Sequence, residues 1–135
     1  MIATHAAFRF GDQRYNLTPE TIRRIAERGG MIGLIFAQHQ INERLHDEET
    51  KTIEESLPIL KRHVDEIRRH GGHEVLAIGS DFDGFIRPTL GGFEHIDDLA
   101  KLREHLGELC PEHGQGFLSG NALRVLKTMY AGRDR

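Results

Sequence analysis

Tryptophan is absent from these 135 residues, and cysteine and proline are scarce, at one and four residues. A lone Cys110 excludes an internal disulfide framework and a Cys-rich zinc module. It agrees with a reducing compartment, and the cytoplasm is the expected location. No apolar run approaches the roughly 20 residues that span a bilayer. The N-terminal MIATHAAFRF lacks the basic region and long apolar stretch of a secretory signal. Charge of one sign is not in excess: the net value of −3 gives no electrostatic basis for binding nucleic acid or another polyanion. What remains is an ordinary globular composition, 38% hydrophobic and 29% charged, with room for one domain and a real core.

The apolar pattern alternates between two periods. Residues 2–7 read as a short strand, followed by a polar loop with Gly11, Asp12, Gln13 and Asn16. Thr18-Pro19-Glu20 opens a helix: Thr18 suits the N-cap, Pro19 the first turn and Glu20 the helix dipole. Ile22 and Ile25 mark its buried face, and Gly29-Gly30 stops it. MIGLIFA (31–37) is a continuous apolar run, as expected of a strand buried on both faces. After a polar loop from His39 to Glu49, Thr50 or Thr52 can cap a second helix. There Ile53, Leu57, Leu60, Val64 and Ile67 recur at helical spacing. Pro58 falls inside that pattern and predicts a kink or a late start. VLAIGSDF (75–82) is the third strand, and 84–93 a loop. A third helix carries Ile96, Leu99, Leu102, Leu106 and Leu109. The last covers about 118–130, with Leu118, Ala122, Leu123, Val125, Leu126 and Met129 apolar. Strands that alternate with helices imply a parallel α/β sheet. Two architectures fit: a doubly wound sheet, or part of a (β/α)₈ barrel, which takes about 250 residues when whole.

Both architectures bind ligands at the C-terminal ends of their strands. The first strand ends in Thr4-His5, the second in Phe36-Ala37-Gln38-His39, and the third in Ser80-Asp81-Phe82-Asp83-Gly84. Histidine and carboxylate at neighbouring strand ends make a plausible metal-hydrolase constellation. Imidazole and carboxylate oxygen ligate zinc, and a carboxylate can act as general base on water. Plainer roles compete. His5 could be a hydrogen-bonded loop residue, and Asp81 or Asp83 could cap a turn at Gly84. An EF-hand reading fails, because no Glu stands at the twelfth loop position. His63, His70, His73, His105 and His113 lie on or beside helices and are expected to be mostly solvated.

The blocks ATHAAF (3–8), NLTPETIRRIAERGGMIGLIF (16–36), RHVDEIRRHGG (62–72), IGSDFDG (78–84) and LSGNALRVL (118–126) resemble, in order, the renal (membrane) dipeptidase family of zinc metallopeptidases. The resemblance covers nearly the whole chain. It implies a (β/α)₈ TIM barrel with a binuclear zinc site, of which this chain supplies three βα units, strands six to eight, in a single incomplete domain. The family's strand-six histidine, a zinc ligand, maps onto His5. The first aspartate of its Asp-Phe-Asp-Gly maps onto Asp81, which would take a proton from the attacking water and pass it to the departing amine. Asp83 would support the loop.

The family often places an Arg-Asn pair after that histidine, and the arginine binds the substrate carboxylate. Here the run is Gln13-Arg14-Tyr15-Asn16, so Arg14 is the candidate carboxylate partner with Tyr15 interposed. His39 is a second candidate substrate contact and marks a subgroup. The family's strand-one His-x-Asp pair, bridging carboxylate and second zinc histidine match no strand end here. The chain alone therefore offers one recognised zinc ligand. It is expected to act with a missing N-terminal half or as a homo-oligomer, on small peptides. A non-catalytic remnant or split subunit is the competing expectation.

Overall fold

The computed structural model describes residues 1–43, 48–83 and 88–131. The predicted turn at Gly84 and part of the loop at 84–93 lie outside the described residues. The order is β1 (Ile2–Ala6), α1 (Pro19–Glu27), β2 (Met31–Leu34), α2 (Gln38–Ile41), α3 (Ile53–Gly71), β3 (Leu76–Ile78), α4 (Leu99–Glu104), α5 (Leu106–Leu109) and α6 (Asn121–Ala131). The three strands form one parallel sheet in the order β1-β2-β3. Each edge strand has a partner on one side only among the described residues.

Helix boundaries follow their capping chemistry. The Thr18 hydroxyl accepts from the Thr21 N–H, with Pro19 in the first turn of α1. α3 opens with a reciprocal capping box between Thr52 and Glu55, so Thr52 rather than Thr50 is the cap. The late start expected at Pro58 does not occur: α3 begins at Ile53 and runs through Pro58. Pro58 lies on the exposed side, so the ring stays clear of the core and only the bond to the Glu54 carbonyl is forfeited. The opposite face buries Leu57, Leu60, Val64 and Ile67. Each contributes roughly 1.5–3 kcal/mol of transfer free energy, which outweighs the lost bond.

Both faces of β2 are covered, with Ile32, Gly33 and Leu34 all buried, as are Ile35 and Phe36 beyond it. β2 is shorter than its apolar run, yet pairing continues beyond the strand ends. Gly79 N–H donates to the Leu34 carbonyl and Phe36 N–H to the Ser80 carbonyl. A Cβ on Gly79 would lie 2.6 Å from the Gly33 carbonyl group, so this approach of β3 to β2 requires glycine.

The C-terminal third departs from the sequence reading. The third helix is broken: a 3₁₀ turn holds Ile96–Asp98, and His105 interrupts the α-helical turns on either side. Ile96 is 58% exposed, not part of the apolar face. The last helix begins as a π-helical turn, Gly116–Gly120. α6 buries Asn121 and Val125 and leaves Leu123, Leu126, Met129 and Tyr130 exposed. Asn121 explains this orientation, because its amide donates to the carbonyls of His73 and Leu76 and turns the helix's other face outward. No described helix is long and apolar enough to cross a membrane.

Candidate active site

β1 and β3 are not neighbours, which corrects the expectation of adjacent strand ends; β2 lies between them. Across two strand spacings, about 10 Å, side chains on a flat sheet would not meet. His5 Nε2 nevertheless sits 3.7 Å from Asp81 Oδ1. Two local features bring them together. The β1–β2 register shifts between Ala3 and Ala6, a bulge that re-aims the strand end. His5 and Asp81 also take left-handed backbone, φ 52° and 64°. Asp83 does the same at φ 56°, so three of the four non-glycine left-handed residues among those described sit on this rim. Each such residue costs about 1–2 kcal/mol. Strain of this kind gathers at functional sites.

The intervening Phe82 anchors the second loop. Its ring meets Phe36 edge-on, centroids 5.5 Å apart, and Phe36 in turn packs on Phe93. Asp81 and Asp83 flank this anchor. Asp83 Oδ1 accepts from the His95 ring, Nδ1 at 3.0 Å. His5 is half-exposed and Asp81 less so, 50% and 24%, so the pair opens to solvent on one side.

The loops after β1 and β2 meet on the same rim. Arg14 is exposed, and its carbonyl accepts from the Arg9 guanidinium. Next to it, the Tyr15 hydroxyl donates to the His39 carbonyl at 2.8 Å. His39 is half-buried on α2. The following Gln40 reaches the His5 carbonyl, Nε2 to O 3.4 Å. Asn16 is buried, and its amide nitrogen donates to the Gln40 carbonyl at 2.7 Å. Hydrogen bonds through Tyr15, Asn16 and Gln40 thus link the segments that carry Arg14 and His39 to the His5 carbonyl; neither side chain is brought against the His5–Asp81 pair. Sequence reasoning missed these connectors, because polar loop residues carry no period. Gln38 is a further connector: its amide bridges the carbonyls of Thr50 and Thr89 and accepts from Thr50 N–H.

His63 contradicts the expectation of solvated helix histidines. It is 1% exposed. Nδ1 accepts from Phe8 N–H at 3.1 Å, so Nε2 carries the proton and donates to the Ile41 carbonyl at 2.9 Å. Burial lowers its pKa to about 4; the Ile41 hydrogen bond opposes the shift and Arg62 adds to it. Neutral His63 ties the loop after β1 and the end of α2 to α3, which fixes the base of the rim. Its neighbour Asp65 completes a His-x-Asp triplet, and His95-Ile96-Asp97 forms another. Neither stands at a strand end: the first is inside α3 and the second enters a 3₁₀ turn.

The donor set can be tested against zinc. Two ligands on one tetrahedral zinc, each about 2.0–2.1 Å from it, lie roughly 3.3 Å apart. The His5–Asp81 spacing of 3.7 Å is too long for a direct hydrogen bond and leaves room for a shared atom between them. Among the described residues no cluster of three or more His, Cys, Asp or Glu side chains is placed to hold a metal. The spacing is compatible with a shared metal, but His5 and Asp81 do not by themselves complete a zinc centre.

Known proteins match this sequence and fold. The family model for membrane dipeptidase, peptidase family M19, matches residues 1–134. An uncharacterized protein in the pqqA 5' region of Klebsiella pneumoniae is 30% identical, over 96% of this chain and 47% of its own length. The dipeptidase ataJ of Aspergillus terreus is 27% identical, over 83% of this chain and 26% of its own. Two solved structures share the fold at TM-score 0.70 and 24% identity, covering 84% of this chain. One is a dipeptidase AC metallopeptidase, covered over 32% of its length. The other is a metallopeptidase from Rhodobacter sphaeroides liganded with a phosphinate mimic of the dipeptide L-Ala-D-Ala, covered over 31%. The chain therefore spans about half or less of the length of these relatives. With the family pattern running through all but the final residue, the chain belongs to the membrane dipeptidase family, peptidase family M19.

Proposed function

We propose that the chain forms the C-terminal part of a zinc-dependent dipeptidase, supplying strands six to eight of a (β/α)₈ barrel. The observation that carries this reading is the approach of His5 Nε2 to Asp81 Oδ1, 3.7 Å across the end of β2. The single-sided pairing of β1 and β3 and the exposed apolar stripe on α6 support the incomplete barrel. Exposed edges and apolar patches of this kind call for a covering partner.

In this reading His5 holds zinc through Nε2. Zinc, when bound, supplies Lewis acidity that polarises the scissile carbonyl and eases deprotonation of water. Asp81 takes the proton from the attacking water and returns it to the departing amine, one carboxylate serving as base and then acid. Arg14 meets the substrate carboxylate through its guanidinium, and His39 lines the same rim. Asp83 keeps the loop that carries Asp81.

For the chain alone, near-zero turnover and less than one zinc per molecule are expected, since one recognised ligand falls short of the roughly three protein ligands of a catalytic zinc site. Mixed with the N-terminal half of a family member, it should gain zinc-dependent dipeptide cleavage. Asp81→Asn should then lower kcat by about 10²–10⁴ with KM little changed. Wild-type turnover by that variant, or robust cleavage by the chain alone, would contradict the proposal. A rim with one recognised zinc ligand also favours a second reading, a non-catalytic split subunit. Failure of complementation with zinc fully bound elsewhere would support it.

A further inference from the structure

We propose that His95 is a positioning residue that holds the Asp81–Asp83 loop in its left-handed backbone and so aims Asp81 at His5; the link to catalysis rests on the dipeptidase reading above. The His95 ring lies twelve residues from Asp83 in sequence, and its Nδ1–H donates to Asp83 Oδ1 at 3.0 Å. His95 itself is fixed from behind. Its N–H donates to Asp98 Oδ2 at 2.9 Å, and the Glu94 N–H donates to the same oxygen at 2.8 Å. Asp98 is nearly buried and paired with Lys101 Nζ at 2.6 Å. Burial pushes its carboxyl up, but the Lys101 hydrogen bond and the two backbone N–H groups outweigh that and hold it lowered.

The ring is thus presented from an anchored backbone to a carboxylate on a strained one. Asp83 and Asp81 both stand at positive φ, on either side of the Phe82 ring that packs on Phe36. Phe82 fixes the centre of this segment, and the His95 contact fixes its far end. With the centre and the far end of the tripeptide set, Asp81 is left facing His5. Without the His95 contact, the extended backbone that aspartate prefers becomes available to Asp83, and the turn that aims Asp81 relaxes.

NMR of the full chain tests this without reference to activity. Left-handed backbone is read at each residue from its intraresidue amide–Hα NOE and one-bond Cα–Hα coupling. Wild type should show it at both Asp81 and Asp83, and His95→Ala should lose it at both. His95→Asn places an amide N–H where Nδ1 stands and should restore it, whereas His95→Gln, with its amide one bond further out, should not. Should His95→Ala fail to fold, the Asn and Gln variants decide the matter. Retention at Asp81 in His95→Ala or His95→Gln, equal loss in His95→Asn, or absence in wild type would overturn the proposal. In the complemented hydrolysis assay His95→Ala should lower kcat with KM unchanged and His95→Asn should recover it; an unchanged kcat would overturn the catalytic link. Absence of hydrolysis in wild type would count against the dipeptidase reading alone, and the NMR result would still decide the positioning role.

Discussion

Acidification should destabilise this fold through His63. The ring is buried and neutral, with a pKa lowered to about 4 from 6.5. An unfolded chain takes up the proton near the ordinary value and the folded one resists, so the unfolded state binds more protons between these limits. Stability from His63 is therefore fully present above about pH 6.5 and is lost as pH falls towards 4. A shift of about 2.5 units corresponds to about 3 kcal/mol over the whole window, of which about 2 kcal/mol is lost by about pH 5. Against a typical total of about 5–15 kcal/mol, that is readily measured. Urea denaturation at about pH 7 and about pH 5 would be compared for wild type and His63→Gln, which cannot charge. The variant should be less stable at neutral pH, since one amide cannot reach both Phe8 and Ile41. Its further loss on acidification should be smaller than that of wild type by about 2 kcal/mol. Parallel losses in the two proteins would refute the reasoning.

Other perturbations test the rim and the sheet. Gly79→Ala should destabilise by about 1–3 kcal/mol, because its Cβ would meet the Gly33 backbone at 2.6 Å; a thermal midpoint equal to wild type would exclude the close approach. His5→Gly should raise stability by about 1 kcal/mol while removing the imidazole, since the residue stands at φ 52°. The same holds for Asp81→Gly at φ 64°. Denaturation curves showing both variants less stable than wild type would mean that the left-handed backbone stores no strain there.

The order of strands and helices was legible because burial imposes its period on the sequence. MIGLIFA suits a strand covered on both sides, and Thr18-Pro19-Glu20 suits a helix start. Capping at Thr52 prevailed over Pro58 because the proline ring faces solvent, a fact set by tertiary packing. Apolar spacing failed at the C-terminal end for the same reason. Asn121 commits one face of α6 to the bottom of the sheet, so Leu123, Leu126 and Met129 turn outward although they read as core. His63 looked like any helix histidine; only the arrival of Phe8 and Ile41 from distant segments makes it a buried linchpin.

At the rim, strand-end position marked His5, Asp81 and His39 as candidates, and the family resemblance added Arg14. The approach of His5 to Asp81 across β2 was not legible. It depends on strand order, on a bulge and on left-handed backbone at residues that are not glycine. None of these leaves a compositional trace. The connectors Tyr15, Asn16, Gln40 and His95 were missed for a related reason: each acts through one long-range hydrogen bond.

The most direct test of the central claim is a crystal structure of the chain combined with the N-terminal half of a family member and grown with excess zinc, with the metal located by anomalous scattering at the zinc edge. The account predicts a zinc peak about 2.0–2.1 Å from His5 Nε2, on the side facing Asp81. Zinc bound only at other histidines, with His5 turned away from Asp81, would contradict it.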